Sequence, residues 1–166
     1  MQDLKLIRAS AKDVNTINRL AILVWNQYYI DIISQNQINY MLDLMYSPKN
    51  LSEKIINKNE DFYLIQKQNN YIGFLSVQNK KENSWFLNKF YINQDFASNG
   101  FGSKILNELK EMLSIEKLRL TVNRQNFKSI NFYFKNGFKI DHVEDFDIGN
   151  GYVMNDFVML WENKKY

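Results

Sequence analysis

Cysteine is absent from the 166 residues, which excludes disulfides, thiolate zinc sites and a cysteine nucleophile. A single histidine excludes a histidine-rich metal centre, and no metal is expected. With one proline, six glycines, 45% hydrophobic and 23% charged residues, the composition fits neither collagen, a mucin stalk nor a disordered tail. No stretch approaches the roughly 20 apolar residues of a membrane helix. The longest early run, Ala21-Ile22-Leu23-Val24-Trp25, is short and lies too far in for a signal peptide. A cytoplasmic location without a membrane partner is therefore expected. Strong charge of one sign is also missing. The net charge is +3, and no basic run exceeds Lys80-Lys81 or Lys164-Lys165, which argues against a nucleic-acid partner.

What the chain does have is aromatic surface, 15% of its residues, and enough length for one domain over 1–166 with one sizeable core. Leu4–Arg8 reads as a first strand. Ser10-Ala11-Lys12-Asp13 reads as a helix cap, followed by Val14, Ile17, Ala21, Val24 and Tyr28 at helical spacing. A second helix is expected from about Ser34 to Tyr46, with another turn or two over 50–57. Strands follow at 62–65, 72–77 and 85–92, with Asn69-Asn70 as the first hairpin turn. Ile105, Leu106, Leu109, Met112 and Leu113 then form one helical stripe, and Lys117–Val122 is a strand. A short helix runs from Asn126 to about Asn136, closed by Gly137. Strands at 138–146 and 152–161 complete a mixed α/β (α+β) pattern, without the regular alternation of a doubly wound sheet.

A strand followed by Gly100-Phe101-Gly102 and a helix is a phosphate-binding arrangement. Glycine admits a ligand close to the backbone, and the helix start offers free amide hydrogens and a favourable dipole. A dinucleotide loop needs a third glycine where Ile105 stands. A P-loop needs glycine-lysine-serine/threonine, but the order here is Gly102-Ser103-Lys104. Paired glycines are also compatible with a simple turn. Further on, Asn126 and Tyr133 are seven residues apart and project about 20° apart around a helix. Ser129 lies between them. Phe127, Ile130 and Phe134 read as a neighbouring stripe that packs.

Together, the segments Asp95-Phe96-Ala97-Ser98-Asn99-Gly100-Phe101-Gly102-Ser103-Lys104-Ile105-Leu106 and Asn126-(two residues)-Ser129-(two residues)-Phe132-Tyr133-(three residues)-Gly137-Phe138 resemble the GCN5-related N-acetyltransferase family. The resemblance covers nearly the whole chain. It implies a strongly curved mixed sheet of about seven strands with splayed central strands, flanked by about four helices. It also implies acetyl-coenzyme A (acetyl-CoA) as the acetyl donor. By that resemblance the backbone of Phe90, Tyr91 and Ile92 runs beside the pantetheine arm. Amides of the loop Ala97, Ser98, Asn99, Gly100, Phe101, Gly102 and Ser103 hold the pyrophosphate. Asn126, with Ser129 beside it, binds the cofactor arm, and Tyr133 protonates the departing thiolate. A phenol suits that task, its pKa of about 10 being close to that of a thiol. Lys135 reaches a phosphate or stays solvated. Ala97 departs from the glutamine or arginine usual there, which removes a side-chain contact but leaves the amide cradle.

The acceptor amine must lose a proton before it attacks. Trp85–Ile92 holds no carboxylate, so Glu82, Asp156 and water remain as routes, with His142 a lone candidate on a late strand. From Asp141 to Asp156 there are five carboxylates and no lysine or arginine. From Trp25 to Ser47 there are Asp31 and Asp43, again without a basic residue. Both segments lie where the resembled family forms its acceptor cleft, so the resemblance implies Trp25, Tyr29, Asp31, Asp147 and Asp156 as acceptor-binding residues, and carboxylates with aromatic faces suit a cationic amine. The segments 25–38 and 147–156 resemble the bacterial spermidine/spermine acetyltransferase branch, which implies a polyamine. The alternatives are a non-catalytic acyl-CoA sensor on the same fold, or an acetyltransferase of the same family acting on another small amine or a protein N-terminus. The resemblance is compatible with a homodimer.

Overall fold

The computed structural model describes residues 4–58, 60–97 and 99–164. Seven strands form one sheet: β1 (Leu4–Arg8), β2 (Asp61–Lys67), β3 (Asn70–Lys81), β4 (Ser84–Ile92), β5 (Lys117–Asn123), β6 (Lys139–Gly149) and β7 (Tyr152–Glu162). Their order is β1-β2-β3-β4-β5-β7-β6, and every neighbouring pair is antiparallel except β4 with β5. Helices α1 (Val14–Tyr28), α2 (Gln35–Tyr46) and α3 (Pro48–Ile56) cover one face, and α4 (Phe101–Met112) and α5 (Phe127–Lys135) the other. The mixed α+β sheet of seven strands is as the sequence led us to expect.

Burial on both faces explains why β2 reads as an unbroken apolar run rather than an alternating one. Phe62 and Leu64 point into the core under α1–α3, while Tyr63 and Ile65 point into the core under α4 and α5. Ser34 and Ser47 start α2 and α3 by accepting from the amides of Gln37 and Asn50, and Pro48 follows Ser47 in the first turn of α3.

Two local expectations are corrected. The β2–β3 turn is Gln68-Asn69, one residue earlier than expected, because Lys67 pairs with Asn70 and Gln68 takes a left-handed φ of 54°. In α5, Phe127 and Phe134 are exposed at 68% and 45%. The packing side is Ile130 and Tyr133, with Phe132 against them.

The sheet opens at its centre. β4 and β5 pair only over Ser84–Leu87 and Lys117–Leu120, and beyond Leu87 the two strands share no register. Asn88 marks the departure. Leu87 pairs with Val77 and Lys89 with Ser76, so Asn88 is an extra residue, a β-bulge that bends β4 away from β5. Past the bulge, β4 is drawn close to β3. A methyl group on Gly73 would sit 2.2 Å from the Tyr91 carbonyl oxygen, so only glycine fits there.

Candidate active site

A cleft of about 320 Å³ lies between the far half of β4 and α5. Phe90 and Ile92 of β4 form one wall, and Ser129, Phe132, Tyr133 and Lys135 of α5 form the other. Ala97, Gly100, Phe101, Gly102 and Ser103 close one end. Nine of the residues expected to hold a cofactor thus line one cleft, while Tyr91 and Asn126 line a smaller cavity beside it. Asn99 does not line the cleft: its Nδ2 donates to the carbonyls of Phe96 and Ala97, fixing the loop from outside. Ser98 lies outside the described residues.

The loop is held by its neighbours. At the end of α1, the Gln27 side chain donates to Asn93 Oδ1 at 2.9 Å and accepts from the Gln94 amide at 3.0 Å. Gly100 adopts a left-handed φ of 73° as the N-cap of α4, so the amides of the helix's first turn are spared partners and directed at the cleft. Gly102 serves a different purpose. A methyl group there would stand 2.9 Å from Phe132, so glycine lets α4 and α5 approach across the cleft.

A second, smaller cavity of about 40 Å³ adjoins the first. Tyr29, Asn88, Tyr91, Thr121 and Asn126 line it, and Phe90, Ser129 and Tyr133 line both cavities. Tyr133 is 8% exposed, with its ring edge-on to Phe132 and Phe138 at 5.3 and 5.4 Å. Burial, helped by the neighbouring Tyr29 and Tyr28, pushes its phenol up, so it is protonated at neutral pH. Asn126 Oδ1 caps α5 by accepting from the Ser129 amide at 3.2 Å, leaving Nδ2 as its remaining donor.

On the acceptor side the two expected segments meet. The Tyr40 hydroxyl donates to the Ile148 carbonyl at 2.8 Å, and its ring lies against Tyr152 at 5.3 Å. The individual assignments fare differently. Trp25 is 1% exposed, so direct contact with an acceptor is corrected to support: its ring stacks at 4.4 Å behind Tyr29. Tyr29 reaches the small cavity, and its hydroxyl lies 3.2 Å from that of Tyr91. Asp31 and Asp147 are exposed and line neither cavity, and Asp147 is occupied in accepting from the Gly149 amide. Their place at the site is corrected accordingly.

Asp156 is the acid that turns inward, although like Asp31 and Asp147 it lines neither cavity. It lies opposite Asn123 on β5, is 5% exposed, and its Oδ1 is buried without a hydrogen-bond partner. Burial pushes its carboxyl up to about 6. Asp145 adds to the shift, while the Thr121 hydroxyl and Arg124 oppose it. Its charge is felt by the Tyr29 phenol. The other proton acceptors considered are elsewhere. Glu82 is exposed in the hairpin at the far end of β4, and His142 is exposed between Asp141 and Glu144, which raise its pKa. The strand acids are not uncompensated either, since Arg119 and Arg124 pair with Asp141 and Asp145.

Among the cavity residues not expected from the sequence are Tyr28, Asn88, Phe96, Thr121, Lys128 and Phe132. Lys128 follows Asn126 in the second motif, so its place beside Ser129 was open to inference. Asn88 was not, because its role comes from the bulge. Its Nδ2 is buried without a partner.

The residues present fit an acyl-coenzyme A. The parted strand offers backbone hydrogen-bonding groups, the start of α4 offers amides for a diphosphate, and Asn88 holds a donor in reserve. A family model described as an acetyltransferase (GNAT) domain matches residues 30–156. The chain belongs to this family of acetyl-CoA-dependent acetyltransferases. It is 27% identical to spermidine N(1)-acetyltransferase of Thermoplasma acidophilum, over 98% of each chain. A solved structure of PaiA N-acetyltransferase from Thermoplasma acidophilum in complex with coenzyme A superposes with a TM-score of 0.81 at 26% identity, covering 97% of this chain and 99% of that one. Spermidine N-acetyltransferase from Vibrio cholerae, solved with CoA and spermine, shares the fold at a TM-score of 0.66 and 20% identity, covering 96% and 95%. The chain is an enzyme that uses acetyl-CoA as its acetyl donor.

Proposed function

We propose that this acetyltransferase acetylates a primary amine of a polyamine, such as spermidine or spermine, by direct attack in a ternary complex. The observation that carries this reading is that Tyr133 lines both the cofactor cleft and the smaller cavity beside it. One phenol is thus in reach of both halves of the reaction. Bound acetyl-CoA supplies the activated acetyl group.

Asp156 and the phenols of Tyr29 and Tyr91 attract the cationic end of the acceptor. Asp156 then takes the proton that the amine must lose. A carboxyl of pKa about 6 is a better acceptor than an ordinary aspartate. The difference of about two pK units makes the transfer roughly 3 kcal/mol less uphill. Tyr133 donates its proton to the departing sulfur. Burial disfavours phenolate and thiolate alike, so the raised phenol is not a handicap: the difference between the two groups sets the transfer. The absence of cysteine is in keeping with direct attack. The spermidine-specific names of the relatives favour a polyamine over other amines.

The test is free-thiol release from acetyl-CoA against polyamines, aminoglycosides, amino acids and peptide N-termini. Polyamines are expected to give the highest kcat/KM. A preference for carboxylate-bearing amines contradicts the reading. Cofactor binding with no amine-dependent thiol release supports the sensor instead.

A further inference from the structure

Asn88 Nδ2 is a buried donor without a hydrogen-bond partner. Its place follows from the β4 bulge. Leu87 pairs with Val77 and Lys89 with Ser76, so Asn88 is left outside the ladder. Lys89 turns to the face covered by α1–α3, where its ammonium meets Glu60 at 2.8 Å and lies over the rings of Tyr46 and Phe62. Asn88 instead lines the small cavity, with Tyr29, Tyr91 and Tyr133. Other groups on that wall are engaged: the Tyr29 and Tyr91 hydroxyls lie 3.2 Å apart, and the Thr121 hydroxyl bonds Asp156. A buried donor left unpaired lowers stability. Packing alone does not account for it, because an apolar side chain fills such a position without that cost.

An amide N–H needs a partner with a lone pair. A polyamine has none to spare: its ammonium groups are donors, and the lone pair of the attacking nitrogen goes to the carbonyl carbon. The diphosphate and the pantetheine arm of coenzyme A belong to the cleft, which Asn88 does not line. The lone pairs that remain are those of the thioester oxygen. That oxygen sits on the carbon that sulfur leaves, and Tyr133, which serves the sulfur, lines both cavities. We propose that Asn88 is a catalytic residue, whose Nδ2 donates to the thioester oxygen of acetyl-CoA and holds the negative charge that gathers there. The proposal rests on the direct attack read above, and not on which amine attacks.

The amine lone pair forms the carbon–nitrogen bond while the carbonyl π pair moves onto oxygen, and Nδ2 hydrogen-bonds that alkoxide. The surplus proton on nitrogen leaves to the base. The pair on oxygen then returns, the carbon–sulfur bond breaks, and the thiolate takes the proton of Tyr133. A donor fixed in place before the charge develops, and buried away from bulk solvent, favours the transition state over the ground state.

Infrared difference spectroscopy of bound acetyl-CoA, isotope-labelled at the thioester carbonyl, reads this contact without turnover. The carbonyl band is expected at lower frequency in the parent than in Asn88→Ala, because a hydrogen bond at oxygen weakens the carbon–oxygen double bond. Thiol release with the best amine of the panel is the second readout. In Asn88→Ala kcat is expected to fall about 10²-fold, with acetyl-CoA affinity and melting temperature as in the parent. Asn88→Asp keeps the shape but replaces the donors with lone pairs. It is expected to be at least as slow as Asn88→Ala, and it carries the test where the alanine variant fails to fold. An unmoved carbonyl band overturns the proposal, as does a kcat in Asn88→Ala within about two-fold of the parent. So does Asn88→Asp turning over faster than Asn88→Ala, which makes Asn88 a ligand of the cationic amine through Oδ1. Where no amine releases thiol from the parent, the polyamine reading fails, and the band shift still decides the contact.

Discussion

At the scale of the residue, the consequential group is Asp156, a buried carboxylate with one oxygen left unpartnered. Such a group is held at a cost to stability. Its pKa rises from 3.8 to about 6 on folding, so the folded state binds its proton more tightly than the unfolded state does. Its contribution is therefore most favourable below about pH 4. It falls as pH climbs through 4 to 6 and stays unfavourable above that. Asp156→Asn removes the ionisation. The variant is expected to be more stable than the parent at pH 8, by about 1–3 kcal/mol, and no more stable at pH 4. Thermal melts at the two pH values check this. The same variant is expected to lose about 10²-fold in kcat/KM, the scale of a lost general base. Full activity in it refers the proton to water. Sequence reasoning named Asp156 among five acids on late strands. Its selection required the register that sets it opposite Asn123 and turns it inward.

At the scale of the element, the β4 bulge creates the site. A strict alternation of faces along 84–92 fails at Asn88: Trp85 and Leu87 before it, and Phe90 and Ile92 after it, meet the same core. That slip is why Asn88 could not be read from sequence as a cavity residue. The strands themselves were legible because their apolar runs are bounded by turns. The third helix was legible only as a turn or two, since Leu51 is its one fully buried residue. Phe127 and Phe134 were misread for a related reason. Helical spacing defines a stripe but not which stripe faces the core, and α5 turns Ile130 and Tyr133 inward. Gly73→Ala tests the bulge's role, since the added methyl must displace the Tyr91 carbonyl. Acetyl-CoA affinity is expected to fall about ten-fold or more, with a stability loss of about 2 kcal/mol. Calorimetry and a denaturant melt measure the two. Parental affinity in the variant shows that the path of β4 does not shape the cleft.

At the scale of the whole molecule, charge is sorted in a way that the net value of +3 conceals. Lys128 and Lys135 line the cofactor cleft, and Lys67 stands 4.9 Å from the centre of the Phe101 ring on its border. On the proposed reading Asp156 serves the acceptor side, so an anionic donor and a cationic acceptor would be drawn to opposite sides of Tyr133. Raising ionic strength is expected to weaken acetyl-CoA binding steadily, as screening shortens the reach of the exposed lysines. An affinity independent of salt excludes them from that role. Both cavities are lined by Tyr133, and the account rests on that shared residue. Its most direct test is the turnover of Tyr133→Phe, with acetyl-CoA affinity measured on the same sample. The account predicts a kcat lower by about 10²–10³-fold with affinity unchanged. Undiminished turnover contradicts it.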